Sequence, residues 1–327
     1  MKTRYRSSAL RLAAWLAGCA MSAQLHAATY PLPSGEDTVF GEVQYVVAQH
    51  VDTLLDLGRR YSVGYEEIVA ANPGVDPWLP GEGTRVLIPS RYILPEEPRE
   101  GLIVSLAEHR LYYFPRARAG EARVVMTYPI SIGKMDWKTP LGMTRIVNKR
   151  EKPIWYPPES VRREHEADGR PLAKAVPAGP DNPLGEYAMR LGIPGGAYLI
   201  HGTNLPAGVG MQVTHGCIRM YPEDIAELFK LVAVNTSVRL IDQPYRMGWH
   251  GEDLYIEVHA PLEGQAPAET RSLTNITRLL VAATQNRSVA IDWAKAERAF
   301  ILATGVPEPV LLRPATVQAA SEAPGGR

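Results

Sequence analysis

The chain of 327 residues is long enough for two domains, and its 35 basic residues balance its 35 acidic residues. A hydrophobic content of 45% with 21% charged residues is typical of globular proteins, and the neutral balance leaves no basic surplus for binding nucleic acid. Two cysteines exclude a disulfide scaffold, and the 28 prolines and 28 glycines argue against an all-helical bundle.

Residues 1–27 are predicted to be a secretory signal peptide. A basic start precedes the apolar stretch 12–23, and a small-residue exit at Ala27 follows it. An alternative is lipid anchoring, because the run that ends at Cys19 (Leu-Ala-Gly-Cys) matches the pattern after which bacterial lipoproteins are cleaved and acylated. In both cases we expect the body of the protein to act outside the cytoplasm.

Residues 28–42 are predicted to be an extended leader, and residues 43–90 a small α+β module. The module is expected to contain a strand, two short helices and a second strand, because Tyr45-Val46-Val47 and Val86-Leu87-Ile88 enclose two apolar-periodic stretches. A unit of this size is marginal in stability by itself, so we expect it to lean on the domain that follows.

The order of these elements resembles a LysM domain, which is a peptidoglycan-binding module. The Gly-Asp-Thr start that is usual in that family is replaced here by Gln49-His50-Val51-Asp52-Thr53. Two interpretations therefore stay open, a module that binds glycan and a module that only docks against the rest of the protein.

Residues 91–100 are predicted to be a linker, and residues 101–245 a β-rich domain with few helices. Runs of β-branched and aromatic residues predict strands throughout this domain, and a helix is expected at Pro222, where two acids follow the proline. Residues 246–327 are predicted to be a C-terminal extension, helical within 272–304 and ending in a polar tail.

The densest cluster of chemically active side chains surrounds Cys217. Once the signal peptide is removed, this cysteine has no intramolecular partner, so its presence in an oxidising compartment needs a functional reason. A thiolate nucleophile needs a nearby base, which His201 or His215 supplies, and donors for an oxyanion, which the backbone beside Gly216 supplies. Arg219 is placed to lower the pKa of the thiol or to hold a substrate carboxylate.

Two other interpretations of this cluster stay open. His201, His215 and Cys217 are acceptable zinc ligands, although no fourth candidate stands at finger-like spacing. The other alternative is a glycine-rich loop whose histidines are incidental. The remaining histidines are expected to be incidental in that sense: His50, His109, His165, His250 and His259.

At these residues the chain resembles the YkuD-type L,D-transpeptidases. Their pattern is a His, a variable loop, Ser/Thr-His-Gly-Cys, and an Arg or Asn two residues later; here it is His201, Thr214-His215-Gly216-Cys217 and Arg219. Further matches are Thr139-Pro140-Leu141-Gly142 and the run 177–185. Within the family the chain is most similar to the periplasmic ErfK/YbiS/YcfS/YnhG group, which carries the same LysM-like module.

The resemblance implies a mainly β, sandwich-like catalytic domain and a periplasmic enzyme that acts on peptidoglycan stem peptides. Cys217 would attack the diaminopimelate carbonyl of a tetrapeptide stem, release D-alanine and hold the acyl group as a thioester. The acceptor amine would be the C-terminal lysine of an outer-membrane lipoprotein or a second diaminopimelate, which gives a 3→3 cross-link.

The same resemblance assigns roles to the site residues. His201 would be the general base, its tautomer fixed by a backbone carbonyl near Gly202, and His215 would support the loop or shuttle protons. The amides of Gly216 and Cys217 would hold the oxyanion. The predicted substrate-binding residues are Thr214, Arg219 and Gly202. No cofactor and no metal are expected.

Alternatives remain for the reaction. With water as acceptor, the same fold would act as an L,D-carboxypeptidase or as an amidase that cuts lipoprotein from the wall. A non-catalytic wall-binding protein is the alternative from another class, and the intact Cys/His pattern argues against it. Residues 155–196 are predicted to be a lid that disfavours water as the acceptor, with Trp137, Trp155 and Tyr156 as candidate walls.

Overall fold

The computed structural model describes residues 28–134, 139–195, 198–262, 264 and 272–312. The predicted signal peptide with Cys19, the candidate wall residue Trp137 and the predicted polar tail lie outside the described residues. No helix in the described part of the chain combines the length and the apolar character that a membrane crossing requires. The helices there are α1 (Leu54–Arg60), α2 (Tyr65–Ala71), α3 (Glu159–Ala167), α4 (Pro222–Leu231), α5 (Leu273–Thr284) and α6 (Trp293–Leu302).

Strands make up most of the remaining regular structure. In chain order they are β1 (Ala28–Pro31), β2 (Val39–Gly41), β3 (Gln44–Val47), β4 (Arg85–Ile88), β5 (Arg91–Ile93), β6 (Gly101–Ser105), β7 (Arg110–Phe114), β8 (Val124–Gly133), β9 (Gly142–Glu151), β10 (Tyr187–Leu191), β11 (Leu199–His201), β12 (Gln212–Thr214), β13 (Ile218–Met220), β14 (Ser237–Ile241), β15 (Tyr245–His250), β16 (Asp253–Val258) and β17 (Glu308–Pro309).

The main domain is built on a 10-stranded sheet with the order β1-β8-β13-β11-β10-β9-β14-β6-β7, to which β12 adds along β8. The prediction of a mainly β domain is confirmed. The sandwich-like arrangement is replaced by a barrel, because a further pairing of β7 with β8 closes the sheet on itself. Closure relies on the length of β8, whose successive parts pair with β1, β7, β13 and β12.

The barrel interior is a continuous apolar core on which helix α4 packs. Pro222 stands in the first turn of this helix, as predicted, and Ile225 and Leu228 turn inward. The core is filled by side chains from alternate strand positions, among them Leu102, Val104, Leu111, Tyr128, Ile130, Ile146, Met189, Ile200, Ile218, Met220 and Val238.

The segment 43–90 has the predicted order of a strand, two helices and a strand. Strands β3 and β4 pair antiparallel, and α1 and α2 between them enclose a small apolar core around Leu54 and Ile68. Helix α1 begins at a capping box in which Thr53 and Asp56 each bond the backbone N–H of the other.

This N-terminal module leans on the barrel, as its small size predicts. Arg110 of β7 is fully buried and donates to both carboxylate oxygens of Glu67 at 2.7 and 2.8 Å. Arg59 makes a matching bidentate pair with Glu223 at the start of α4. Gly64 and Gly210 touch backbone to backbone, since a Cβ on Gly210 would lie 2.2 Å from the amide nitrogen of Tyr65.

Residues predicted to be leader and linker contribute strands. Strand β1 pairs with β8 at the barrel edge, and β2 pairs with β5. The outer strand of a sheet has unpaired backbone N–H and C=O groups, and β1 and β2 pair with such groups on β8 and β5. After the barrel, β15, β16 and β17 form a small sheet that packs against α5 and α6 around Leu254, Ile256 and Leu280.

Candidate active site

The sheet brings the two halves of the predicted motif together. Strand β11 ends at His201 and runs parallel to β13, so that His201 stands opposite Arg219 in the register. Cys217 immediately precedes β13, at the turn from β12. Residues that are separated by a loop in sequence thus become neighbours on adjacent strands.

The turn that carries the thiol is held from both sides. Gly216 adopts a φ of +93°, a conformation that residues with a Cβ rarely tolerate. Thr214 donates its hydroxyl hydrogen to the carbonyl oxygen of Cys217 at 2.5 Å, and Thr139 donates to the carbonyl oxygen of Gly216 at 3.2 Å. The predicted Thr214 and the Thr139 of the family-matching run therefore both fix the nucleophile loop.

His201 is buried and its tautomer is set by the backbone. Its Nδ1 lies 2.6 Å from the carbonyl oxygen of Gly202, and a carbonyl only accepts, so Nδ1 carries the proton and Nε2 carries the lone pair. Burial, followed by the positive charge of Arg219, lowers the pKa of His201 to about 4. The imidazole is therefore neutral at physiological pH and available to take a proton.

The thiol of Cys217 rests in its protonated form. Burial raises the pKa of Cys217, and the opposing effects of a backbone hydrogen bond from Leu199 and of nearby Arg219 are smaller. Arg219 is largely buried, its Nε has no hydrogen-bond partner among the described residues, and burial lowers its pKa. A protonated thiol beside a neutral imidazole needs proton transfer before it attacks, which is the task of a general base.

A cavity of about 610 Å³ opens over this group, and we refer to it as the thiol cavity. Its lining includes His201, His215, Cys217 and Arg219, so the predicted site residues share one space. Trp155 and Tyr156 also line it, in agreement with their prediction as walls.

The segment predicted to be a lid contributes α3 and several cavity walls. Asn182 within it is completely buried and donates to the carbonyl oxygens of Pro153 and Pro177 at 2.7 and 3.1 Å. Its own oxygen accepts the N–H of Leu184 at 2.9 Å. These hydrogen bonds of Asn182 join separate parts of the proline-rich loop and hold it in place as a wall of the cavity.

Two residues at the mouth of the thiol cavity were not predicted from the sequence. Glu164 of α3 lies 3.0 Å from Nε2 of His215 and also accepts a hydrogen bond from Lys134 at 3.1 Å. No sequence pattern signals this contact, because 51 residues separate Glu164 from His215. Only docking of α3 over the barrel brings them together.

The structure also bears on the zinc interpretation. Within the described residues, the group of three or more His, Cys, Asp and Glu side chains whose ligand atoms all lie within 4.8 Å of one another consists of Glu108, Glu257 and His259, which lie in a different part of the fold. Around the thiol, Nδ1 of His201 is committed to Gly202 and Nε2 of His215 faces Glu164. This arrangement suits proton transfer better than metal ligation.

Comparison with known proteins agrees with the geometry. The YkuD family, described as an L,D-transpeptidase catalytic domain, matches residues 99–240. The chain is 39% identical over 267 residues to probable L,D-transpeptidase YcfS of Escherichia coli K12, covering 80% of this chain and 82% of that protein.

Two further relatives match over most of their length. Probable L,D-transpeptidase YbiS of the same strain is 37% identical over 86% of this chain and 91% of its own. Probable L,D-transpeptidase ErfK/SrfK of Salmonella typhimurium is 40% identical over 72% of this chain and 75% of its own. The chain therefore belongs to the YkuD family of cysteine-dependent L,D-transpeptidases.

Proposed function

We propose that the protein is a periplasmic enzyme that joins peptidoglycan stem peptides to an amine through a thioester on Cys217. The observation that carries this proposal is the pairing, in one cavity, of the thiol with an imidazole whose Nδ1 is tied to the Gly202 carbonyl. This hydrogen bond leaves Nε2 of His201 as the basic nitrogen. The family match supports the reaction class.

In the first half of the reaction, His201 takes the thiol proton at Nε2 while the sulfur of Cys217 attacks the diaminopimelate carbonyl of a tetrapeptide stem. The backbone N–H groups of Gly216 and Cys217 stabilise the oxyanion that forms. The C–N bond to D-alanine then breaks, and the proton on His201 passes to the leaving amine. The product is a thioester and free D-alanine.

In the second half, the nitrogen of an acceptor amine attacks the thioester carbon and the C–S bond breaks. His201 receives the proton that the amine loses, and the sulfur recovers its proton from His201. We propose two acceptors, the C-terminal lysine of an outer-membrane lipoprotein and the side-chain amine of a second diaminopimelate. Water as acceptor would instead give a carboxypeptidase or an amidase.

The remaining predicted roles belong to this proposal. Arg219 stands beside the thiol and offers the positive charge that a stem-peptide carboxylate requires. Thr214 positions the nucleophile loop through its bond to the Cys217 carbonyl. Gly202 contributes the carbonyl that orients His201, and a Cβ there would stand 3.1 Å from the side chain of Ile225, so a larger residue would require that side chain to shift.

We propose that the N-terminal module is LysM-like and holds the enzyme on the wall. Its exposed surface carries Trp78 and Tyr45, whose side chains are 58% and 53% exposed, and the Arg85 guanidinium stacks on the Tyr45 ring. Exposed aromatic rings are suited to sugar faces. The alternative role, docking alone, is supported by the ion pairs that tie the module to the barrel.

The test is mass spectrometry of products from the purified mature protein, given tetrapeptide muropeptides and a lysine-terminated peptide. Wild type is expected to release D-alanine and form a new amide, and the Cys217→Ala variant is expected to form none. Muropeptides joined only to each other would identify 3→3 cross-linking, and tripeptide alone would favour a hydrolase. Turnover that survives in Cys217→Ala would refute the mechanism.

Binding to isolated sacculi separates the module from the chemistry. Cys217→Ala is expected to bind sacculi as wild type does, because the module and the thiol lie in different parts of the fold. Loss of binding in a Trp78→Ala, Tyr45→Ala variant with unchanged D-alanine release would support glycan binding. Unchanged binding would support the docking role.

A further inference from the structure

An acid, a lysine and a histidine meet at the mouth of the thiol cavity. One carboxylate oxygen of Glu164 lies 3.0 Å from His215 Nε2, and the other accepts from Lys134 at 3.1 Å. The side chains of Glu164, Lys134 and His215 are 45%, 35% and 29% exposed, so a molecule that arrives from solvent can touch them.

The geometry of α3 turns Glu164 toward the cavity. Val161, one turn earlier, is buried and lines the thiol cavity, and residues three apart lie on the same face of a helix. Glu164 contacts His215, which precedes Cys217 by two residues in the chain. The lid therefore brings a negative charge to the edge of the space in which the thioester forms.

The lining of the thiol cavity itself is poor in negative charge. Its described residues are aromatic, apolar, hydroxyl, thiol and imidazole side chains together with the guanidinium of Arg219, and no carboxylate is among them. This lining suits a donor peptide that carries a carboxylate, but it repels a cation. A primary amine with an ordinary pKa near 10.4 arrives as an ammonium ion at neutral pH, so it needs a carboxylate on its path.

We propose that Glu164 binds the ammonium group of the acyl acceptor and so favours a cationic amine over water in the second half-reaction. The bound ammonium loses one proton to bulk water before its nitrogen attacks the thioester carbon, and the second proton passes to His201 as the amide forms. This inference rests on the transpeptidase function proposed above. A carboxylate offers about four lone-pair positions, so the bonds to Lys134 and His215 leave room for a third donor. The hydrogen bond to His215, followed by that to Lys134, lowers the pKa of Glu164, which keeps it ionised.

Glu164 thus divides the site into two sides with opposite charge preference. Arg219 on the inner side suits the carboxylate of the donor peptide, and Glu164 at the mouth suits the cation of the acceptor. Water, which is uncharged, gains less from Glu164 than an ammonium ion does, because only the ammonium forms a hydrogen bond between two opposite charges. The partition of the acyl-enzyme between amine and water is therefore the quantity that this residue controls.

The test compares wild type with Glu164→Gln, which keeps the size of the side chain and removes its charge. The matched control is Asp168→Asn, which neutralises an exposed acid at the end of the same helix. Asp168 pairs with Arg170 and not with His215 or Lys134. Purified full-length proteins receive a tetrapeptide muropeptide and increasing concentrations of a lysine-terminated peptide. We measure D-alanine release in the absence of the lysine-terminated peptide, and the concentration of that peptide at which half of the acyl-enzyme forms the lysine amide.

For Glu164→Gln we expect that acceptor concentration to rise about tenfold, with D-alanine release within about twofold of wild type and Asp168→Asn unchanged in both quantities. Added salt is expected to raise the same concentration in wild type and to have little effect in the variant, because screening weakens only the charged contact.

An unchanged acceptor concentration in Glu164→Gln, or a parallel loss of D-alanine release and amide formation, would overturn the inference and leave the function standing. A parallel loss would mean that Glu164 only holds the lid. If wild type releases no D-alanine, the proposed function fails and this inference fails with it.

Discussion

Two cavities are lined in part by the short strand β12, and they differ in whether their buried titratable side chains are paired with opposite charges. Thr214 at the end of this strand lines the thiol cavity, whereas Gln212 and Val213 line a second space of about 500 Å³. The second space, which we call the junction cavity, lies where the N-terminal module, the barrel and the C-terminal sheet meet.

The junction cavity pairs its charges. Arg246 is fully buried and bonds Glu108, and it lies 3.8 Å from Glu257, which in turn accepts from Ile93 N–H and contacts His259 at 2.8 Å. Burial raises the pKa of Glu108, but Arg246, His259 and the hydrogen bonds from Ser105 and Tyr112 together outweigh burial and hold this pKa at about 2. Burial lowers the pKa of His259, but the hydrogen bond to Glu257 and the negative charges of Glu257 and Glu108 together outweigh burial and raise this pKa.

In the thiol cavity, the cost of burying Cys217 and His201 in charged form is not fully offset by partners of opposite charge. Burial favours the neutral forms of Cys217 and His201. The positive charge of Arg219 opposes burial only in part at Cys217, and at His201 it lowers the pKa further. The comparison teaches that buried titratable residues are not by themselves evidence of catalysis. A network of alternating charges holds modules together, whereas an accessible neutral thiol beside a neutral base is arranged to react.

The largest expected effect comes from removing the base. In His201→Gln we expect acylation of Cys217 to slow by at least about a hundredfold, because the thiol pKa is raised and the imidazole that takes its proton is removed. The rate is followed as the intact-mass gain during incubation with a carbapenem, since a strained lactam tests the same nucleophile. His215→Gln is the comparison, and equal losses in both variants would contradict the assignment of His201.

A large effect on stability is expected at the junction cavity. Arg246→Met leaves the Glu108 and Glu257 carboxylates buried without their cation, which typically costs about 3–5 kcal/mol of unfolding free energy. Arg298→Met, which removes an exposed pair with Glu308, is expected to cost less than about 1 kcal/mol. Denaturant unfolding measures both, and similar losses in the two variants would refute the contrast between buried and exposed pairs.

The smallest expected effect concerns Asp224, a buried acid in the first turn of α4 whose Oδ2 meets no hydrogen-bond partner in the part of the chain that the structure describes. Burial, followed by Glu223 and Glu227, raises the pKa of Asp224 to about 8. Below about pH 4 both folded and unfolded chains keep this proton, and between pH 4 and 8 only the folded chain does. The contribution of Asp224 to stability therefore falls as the pH rises through this window.

Asp224→Asn removes this dependence because the amide does not titrate. Relative to wild type, the variant is expected to gain at least about 1 kcal/mol of unfolding free energy between pH 5 and pH 7. Parallel unfolding curves at several pH values measure the difference. A constant offset between the two proteins over this range would show that Asp224 is ionised in the folded chain.

Much of the site was predictable from sequence because its chemistry is local. His201, Thr214, Gly216, Cys217 and Arg219 stand within one short stretch, and their residue types specify a thiol, a base and an oxyanion donor. The strand content and the helix at Pro222 were predictable for the same reason, since alternation and capping act over a few residues. The helical region 272–304 was also predicted, although it divides into α5 and α6.

Other features depend on residues that are distant in sequence. His259 was expected to be incidental, yet it belongs to the buried network with Glu257, and the partners Glu108 and Arg246 are 138 residues apart. The contact of Glu164 with His215 spans 51 residues.

The sequence by itself determined the nucleophile, the candidate bases and the β-rich character of the main domain, because short-range patterns carry that information. Only the tertiary structure decided that the sheet closes at β7 and β8, that strand pairing sets His201 opposite Arg219, and that Glu164 contacts His215 at the cavity mouth. Such contacts form only when strands pair and helices pack against the sheet. The free energy for that packing comes from apolar surface buried between segments that are distant in sequence, so no single segment predicts it.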